Sequence, residues 1–162
     1  NWYLKCRITS VAAMQLTRFT DLGLRTMMLL AAGDAAERRI TTRTIAVGAD
    51  ASEHHIAKAV ARLVDLGMVN ARRGRVGGLT LTDAGRTVSL GWLVRRLEGD
   101  AEVIDCDGGA NPCPLIAGCR LRRVLAEAKE AFYRELDKHT LEDLAGSGLL
   151  PVVTVPLERI TR

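Results

Sequence analysis

The chain has 162 residues, of which 48% are hydrophobic, 26% charged and 4% aromatic, with a formal net charge of +4. This is the size of one domain with an appended element, and an apolar share near one half excludes wholesale disorder. No apolar run approaches the ~18 residues of a membrane span, so a soluble cytoplasmic protein is expected.

Charge divides the chain. Residues 14–99 carry 13 Lys/Arg against 8 Asp/Glu, whereas residues 100–119 carry four acids and no base. A basic block suits a polyanion, and nucleic acid is the common one. The acidic block holds three of the four cysteines, so binding and a second chemistry are expected in different segments. The expected division is a tail at 1–13, a winged helix-turn-helix at 14–99, a cluster-binding loop at 100–119, a dimerisation region at 120–146 and a C-terminal tail at 147–162. Residues 1–13 have no clear period and Met14 is read as the natural start, which leaves Cys6 outside the fold.

Thr20 is the expected N-cap of the first helix, with Asp21 in a first turn whose dipole favours negative charge. Leu22, Leu24, Met28, Leu29 and Ala32 form one apolar face, ending at Gly33. After a polar connector, Thr41 or Thr42 opens a short helix carrying Ile45, Ala46 and Val47. Gly48-Ala49-Asp50 then makes the tight turn between the two helices of the motif. Ser52 caps the next helix, which closes with Gly67 at its C′ position. Its apolar face is Ile56, Val60, Leu63 and Val64, and its polar face is Glu53, His54, His55, Lys58 and Arg62. A recognition helix needs such a face: His54 and His55 can donate or accept at base edges, while Lys58 and Arg62 can meet phosphates. Thr42, Arg43 and Ser52 complete the expected DNA-facing set of these two helices.

Met68-Val69 and Leu79-Thr80-Leu81 are short strand-like pieces on either side of a glycine-rich tip. Arg72, Arg73, Gly74 and Arg75 crowd positive charge there, which is unfavourable unless an anion neutralises it. A wing lying along the backbone of double-stranded operator DNA has that anion. A nucleotide-binding phosphate loop would need a Walker lysine and its Ser/Thr, both absent here. Thr82 then caps a further helical region through Leu90, Trp92, Leu93, Val94 and Leu97, closing at Gly99.

Cys106, Cys113 and Cys119 are separated by six and five residues in a Gly- and Pro-bearing loop. Zinc sites favour close Cys-x2-Cys knuckles and four ligands. A disulfide is disfavoured inside a cell and would leave one cysteine over. An acidic, glycine-rich stretch is also a poor place to bury apolar sulfur. Three thiolates on one flexible loop instead suit an iron–sulfur cluster completed by a ligand from elsewhere.

From Gly118 a long helix is expected, with Leu121, Leu125, Ala128 and Phe132 at four-three-four spacing. Such a narrow stripe packs either on its own domain or, as preferred here, on the same helix of a second copy. A homodimer of that kind carries two recognition helices. No catalytic constellation is present, because two of the three histidines lie on the recognition face and His139 stands apart. An enzyme is not expected.

Three segments in this order, Leu16-Thr-Arg-Phe-Thr-Asp21, Arg72-Arg-Gly-Arg-Val-Gly-Gly-Leu-Thr-Leu-Thr82 and Asn111-Pro-Cys-Pro-Leu-Ile-Ala-Gly-Cys-Arg-Leu-Arg-Arg123, carry a resemblance. With them the chain resembles the family of winged-helix iron–sulfur regulators, and within it the nitric-oxide-sensing repressors. The resemblance runs from Met14 to about Gly146. It implies a mainly α winged helix-turn-helix fold and a [4Fe–4S] cluster on Cys106, Cys113 and Cys119. It further implies that Asp21 of the other subunit is the fourth ligand, as in one branch of the family, and that nitric oxide releases the homodimer from its operator. A regulator sensing redox, oxygen or cluster supply is the alternative, and an electron-transfer protein a weaker one that leaves the arginine wing unused. The gap from Cys106 to Cys113 is one residue longer than the family pattern, a length that Gly108-Gly109 can absorb.

Overall fold

The computed structural model describes residues 16–35, 40–72, 74, 77–99, 102–104, 106 and 113–146. The first helix, α1 (Arg18–Ala35), starts earlier than expected. Its cap is Thr17, whose hydroxyl accepts from the Thr20 amide at 3.2 Å. Thr20 itself is fully buried inside the helix, so of two threonines that both suit a cap, burial claims the second. Nor does Gly33 end α1. The helix runs on to Ala35, and Asp34 in that last turn is held by Arg86 at 2.6 Å. A helical glycine costs only about 1 kcal/mol relative to alanine, so tertiary contacts override it.

The helix-turn-helix follows. In α2 (Thr42–Gly48), the Thr41 hydroxyl caps by accepting from the Thr44 amide. Asp50 takes the turn at φ 50, a left-handed conformation that short polar side chains tolerate. In α3 (Glu53–Asp65), Ser52 caps by accepting from the His55 amide, and Gly67 follows the helix at φ 74. The buried arc of α3 is Ile56, Ala59, Val60 and Leu63. Val64, expected to face inward, is 38% exposed, because the i, i+3, i+4, i+7 arc from Ile56 selects Ala59 instead.

Strand β1 (Val69–Arg72) pairs antiparallel with β2 (Gly78–Leu81), in a register that sets Val69 opposite Leu81 and Arg72 opposite Gly78. Ile40 adds a bridge to Leu79. The hairpin therefore begins later and reaches further toward its tip than Met68-Val69 suggested.

The expected single helix after Thr82 is two: α4 (Asp83–Thr87) and α5 (Leu90–Glu98). Between them Val88 is extended and Ser89 supplies a fresh cap to the Trp92 amide. The break has a long-range cause. Leu90 donates to the His139 carbonyl at 2.9 Å and Leu141 donates to the Val88 carbonyl at 3.2 Å. After a 3-10 turn at Ile116–Gly118 comes α6 (Arg120–Leu136), then α7 (Leu141–Gly146). Sequence periodicity gave no sign of α7, which packs against α1 and α4 with Leu141 fully buried.

Met27 and Leu30 of α1, Ile45 of α2, Ile56 and Leu63 of α3 and Leu93 of α5 form the centre of one core. The fold is a mainly helical winged helix-turn-helix with a two-stranded wing. Among the described residues, no helix is long and apolar enough to cross a membrane.

Candidate DNA interface and cysteine site

The start of α3 is exposed from Ser52 to His55. There the Ser52 hydroxyl lies 2.8 Å from His55 Nδ1, and the His54 and His55 rings are 5.9 Å apart. Arg43 of α2 reaches toward Glu53 at 3.9 Å, linking the two helices at their outer edge. Thr42, the first residue of α2, is half-buried. Lys58 is exposed and has no ion pair among the described residues. Arg62 behaves differently: its Nη2 donates to the Arg96 carbonyl of α5 at 3.2 Å. On the wing, Arg72 is exposed at the end of β1, and Gly74 is exposed at φ 104. Arg73 and Arg75 lie outside the described residues.

The cysteine segment is braced at both ends. Glu102 accepts from Arg122 through two bonds, 2.8 and 2.5 Å, joining the start of the segment to the first turns of α6. The Arg122 guanidinium holds the Glu102 carboxyl below its ordinary value. Within the segment, the Cys113 amide donates to the Cys106 carbonyl at 3.0 Å. Cys119 occupies the cap position of α6, where unsatisfied amides favour an anionic neighbour. Cys106 is 5% exposed. Burial pushes its thiol pKa up, Cys113 adds to this, Arg122 opposes it, and Glu102 and Cys119 raise it further. Cys106 is thus within electrostatic reach of both Cys113 and Cys119, and all three thiols are free of disulfides. Among the described residues, no three Cys, His or carboxylate groups gather closely enough to hold a single metal ion. Asp21 is half-exposed in the first turn of α1, where Arg25 Nε donates to it at 2.8 Å.

The outer face of α6 is left open by the described residues: Leu121 is 59% and Val124 53% exposed, Ala128 and Phe132 are exposed, and Leu125 is half-buried. Its inner face meets α5. Tyr133 is buried beneath the Arg95 guanidinium, 4.3 Å from the ring centroid, and Arg95 also holds Glu130 at 2.7 Å. The Ser89 hydroxyl donates to Asp137 at 2.6 Å. At Gly91 a Cβ would strike the Tyr133 carbonyl and the Asp137 carboxylate. Sequence reasoning missed this seam, whose only traces are a glycine inside α5 and the i, i+4 pair Tyr133 and Asp137.

The pattern of the Rrf2 family, described as an iron-dependent transcriptional regulator, matches residues 16–147. The chain belongs to the Rrf2 family. This Rrf2 chain is 55% identical over 140 residues to the HTH-type transcriptional repressor NsrR of Streptomyces coelicolor, covering 86% of itself and 94% of that relative. It is 40% identical over 132 residues to the HTH-type transcriptional regulator NsrR of Geobacillus kaustophilus, covering 81% and 89%. Among solved structures, CymR, the global cysteine regulator of B. subtilis, matches with a TM-score of 0.56 at 28% identity, over 83% of this Rrf2 chain and 98% of that one. IscR of T. potens matches with a TM-score of 0.63 over 82% and 86%, and at 23% identity shows the fold alone. Both NsrR relatives are named as HTH-type regulators of transcription.

Proposed function

We propose that the chain is a repressor that binds operator DNA as a homodimer and is released by nitric oxide. In this reading Cys106, Cys113 and Cys119 hold a [4Fe–4S] cluster, with the partner subunit's Asp21 as fourth ligand. One observation carries it: three unpaired thiols share a segment clamped by Glu102 and Arg122, and the last of them opens a helix seated on the winged-helix core. Soft thiolates suit the cluster's iron, and a hard carboxylate is the more replaceable ligand. When bound, the cluster supplies iron that a small ligand such as nitric oxide can attack. The identity to a relative named as a repressor supports repression as the outcome of binding.

The chain's own residues do the rest. The exposed start of α3 offers Ser52, Glu53, His54 and His55 to the major groove and Lys58 to the flanking phosphates, with Thr42 and Arg43 beside it. Arg72, Arg73, Gly74 and Arg75 follow the phosphate backbone as a wing. Leu121, Leu125, Ala128 and Phe132 pack on the same stripe of a second copy, which pairs two recognition helices about a twofold axis.

The test is anaerobic binding to a duplex selected from a random pool. Cluster-loaded protein, the same protein after nitric oxide, and cluster-free protein are compared. About a hundredfold weaker binding by the last two is expected, equivalent to about 2.8 kcal/mol. Equal affinity in all three overturns the reading.

A further inference from the structure

Three consecutive residues at the end of α5 meet α3 and α1, next to the Arg95 links to α6. The Arg96 carbonyl accepts from Arg62 of α3 at 3.2 Å. Leu97 is buried against α1 at Gly23, where a Cβ would come within 2.8 Å of Leu97 Cδ1. The Glu98 carboxylate accepts from the Thr17 amide at 2.6 Å, at the cap of α1, where negative charge also suits the helix dipole. Gly99 then turns the chain at φ 75, a conformation that glycine adopts without strain. Beyond it lies the cysteine segment. One turn is therefore tied to α3 by one residue, to α1 by two, and covalently to the segment that carries the thiols.

We propose that Arg96–Glu98 is the junction through which the cysteine segment sets the placement of α1 and α3, with Arg62 and Glu98 as its positioning residues. Arg62 is a strut, not a phosphate contact, although it shares the polar face of α3 with Lys58. The physical basis is twofold. A guanidinium-to-carbonyl bond is charge-assisted and directional. Leu97 sits against a helix with no side chain at the point of approach, so a shift of α5 has little slack to disappear into. The inference rests on the reading that the cysteine segment governs DNA binding.

Paired variants test it. Arg62→Gln keeps a donor and loses the charge, whereas Arg62→Met loses both. Glu98→Gln keeps an acceptor, whereas Glu98→Ala does not. On the selected duplex, both Arg62 variants should leave the salt slope of binding unchanged, while Lys58→Ala, which removes one phosphate contact from each subunit of the dimer, lowers its magnitude by about 1.8. Arg62→Met and Glu98→Ala should shrink the affinity ratio of cluster-loaded to cluster-free protein by ~2- to 10-fold, the scale of one hydrogen bond; Arg62→Gln, shorter and neutral, should shrink it as well, and Glu98→Gln should retain it. In cluster-free protein without DNA, Arg62→Met should also speed amide hydrogen exchange in the first turn of α1, on the far side of the junction. The proposal is overturned by a slope that falls by about 1.8 in both Arg62 variants, by an unchanged ratio in Arg62→Met, or by unchanged α1 exchange. If the unsubstituted protein shows no such ratio, the functional reading fails instead, and the exchange result alone decides the junction.

Discussion

The winged-helix block and the half of the chain from the cysteines through α6 are held in different ways. In the first, Met27, Leu30, Ile45, Ile56, Leu63 and Leu93 come from four separate helices and are all fully buried. In the second, Tyr133 is the only buried residue among the 17 described residues of α6, and Leu121, Val124 and Phe132 face outward. Glu102–Arg122 and Arg95–Glu130 are polar links near the surface, and such pairs contribute little beside apolar burial. The difference shows where one chain suffices. Burial within the chain stabilises the winged-helix block, while among the described residues the second half leaves the apolar stripe of α6 open and its three thiols free of disulfides.

The contrast can be broken from either side. Cys113→Ser or Cys119→Ser should have the largest effect: complete loss of iron and sulfide from anaerobically prepared protein, with helical circular dichroism retained because neither side chain belongs to the core. Cluster absorbance surviving in one of them removes that ligand. Leu63→Ala strikes the other half and should lower unfolding stability in urea by about 2–5 kcal/mol. A loss below ~1 kcal/mol would mean that the core is not organised around α3. Phe132→Glu should convert a dimer to a monomer in sedimentation, with helical circular dichroism retained and the unfolding midpoint no longer dependent on protein concentration. A dimer that persists would take α6 out of the interface.

The smallest effect concerns α7. Asp143 accepts from the Thr140 amide at 2.7 Å and from its hydroxyl at 2.9 Å. The backbone bond, then the hydroxyl, holds its carboxyl below the ordinary value of 3.8. A carboxyl lowered in the folded state contributes stability that is present above its ordinary value and lost as pH falls through the folded one. Asp143→Asn should therefore flatten the acid limb of a stability–pH curve below about pH 4. An unaltered limb would show that this cap is not linked to folding.

Local signals in the sequence were enough for the winged-helix block and fell short wherever distant residues decide. Ser52, Gly67 and the arc from Ile56 to Leu63 are caps and periodicity, readable within one helix. Thr17 and Thr20 compete for the same cap, and only burial of Thr20 separates them. The split between α4 and α5 depends on Leu141 and His139, some fifty residues downstream. The Glu102–Arg122 clamp spans the cysteine segment in the same way. Cysteine spacing suggested the donors without showing what braces them. The polar face of α3 placed Arg62 beside Lys58, and nothing in its own helix reveals the α5 carbonyl that receives it.

The missing methyl at Gly91 has a mechanical corollary. Main chain lies directly on main chain there, with the Tyr133 carbonyl filling the space a Cβ would take. The angle of α6 on α5 is set at this close approach, with the Arg95–Tyr133 and Ser89–Asp137 contacts packed beside it. Whatever docks on the far side of α6 inherits that angle, and its separation from α3 follows from this backbone approach rather than from the choice of surface residues.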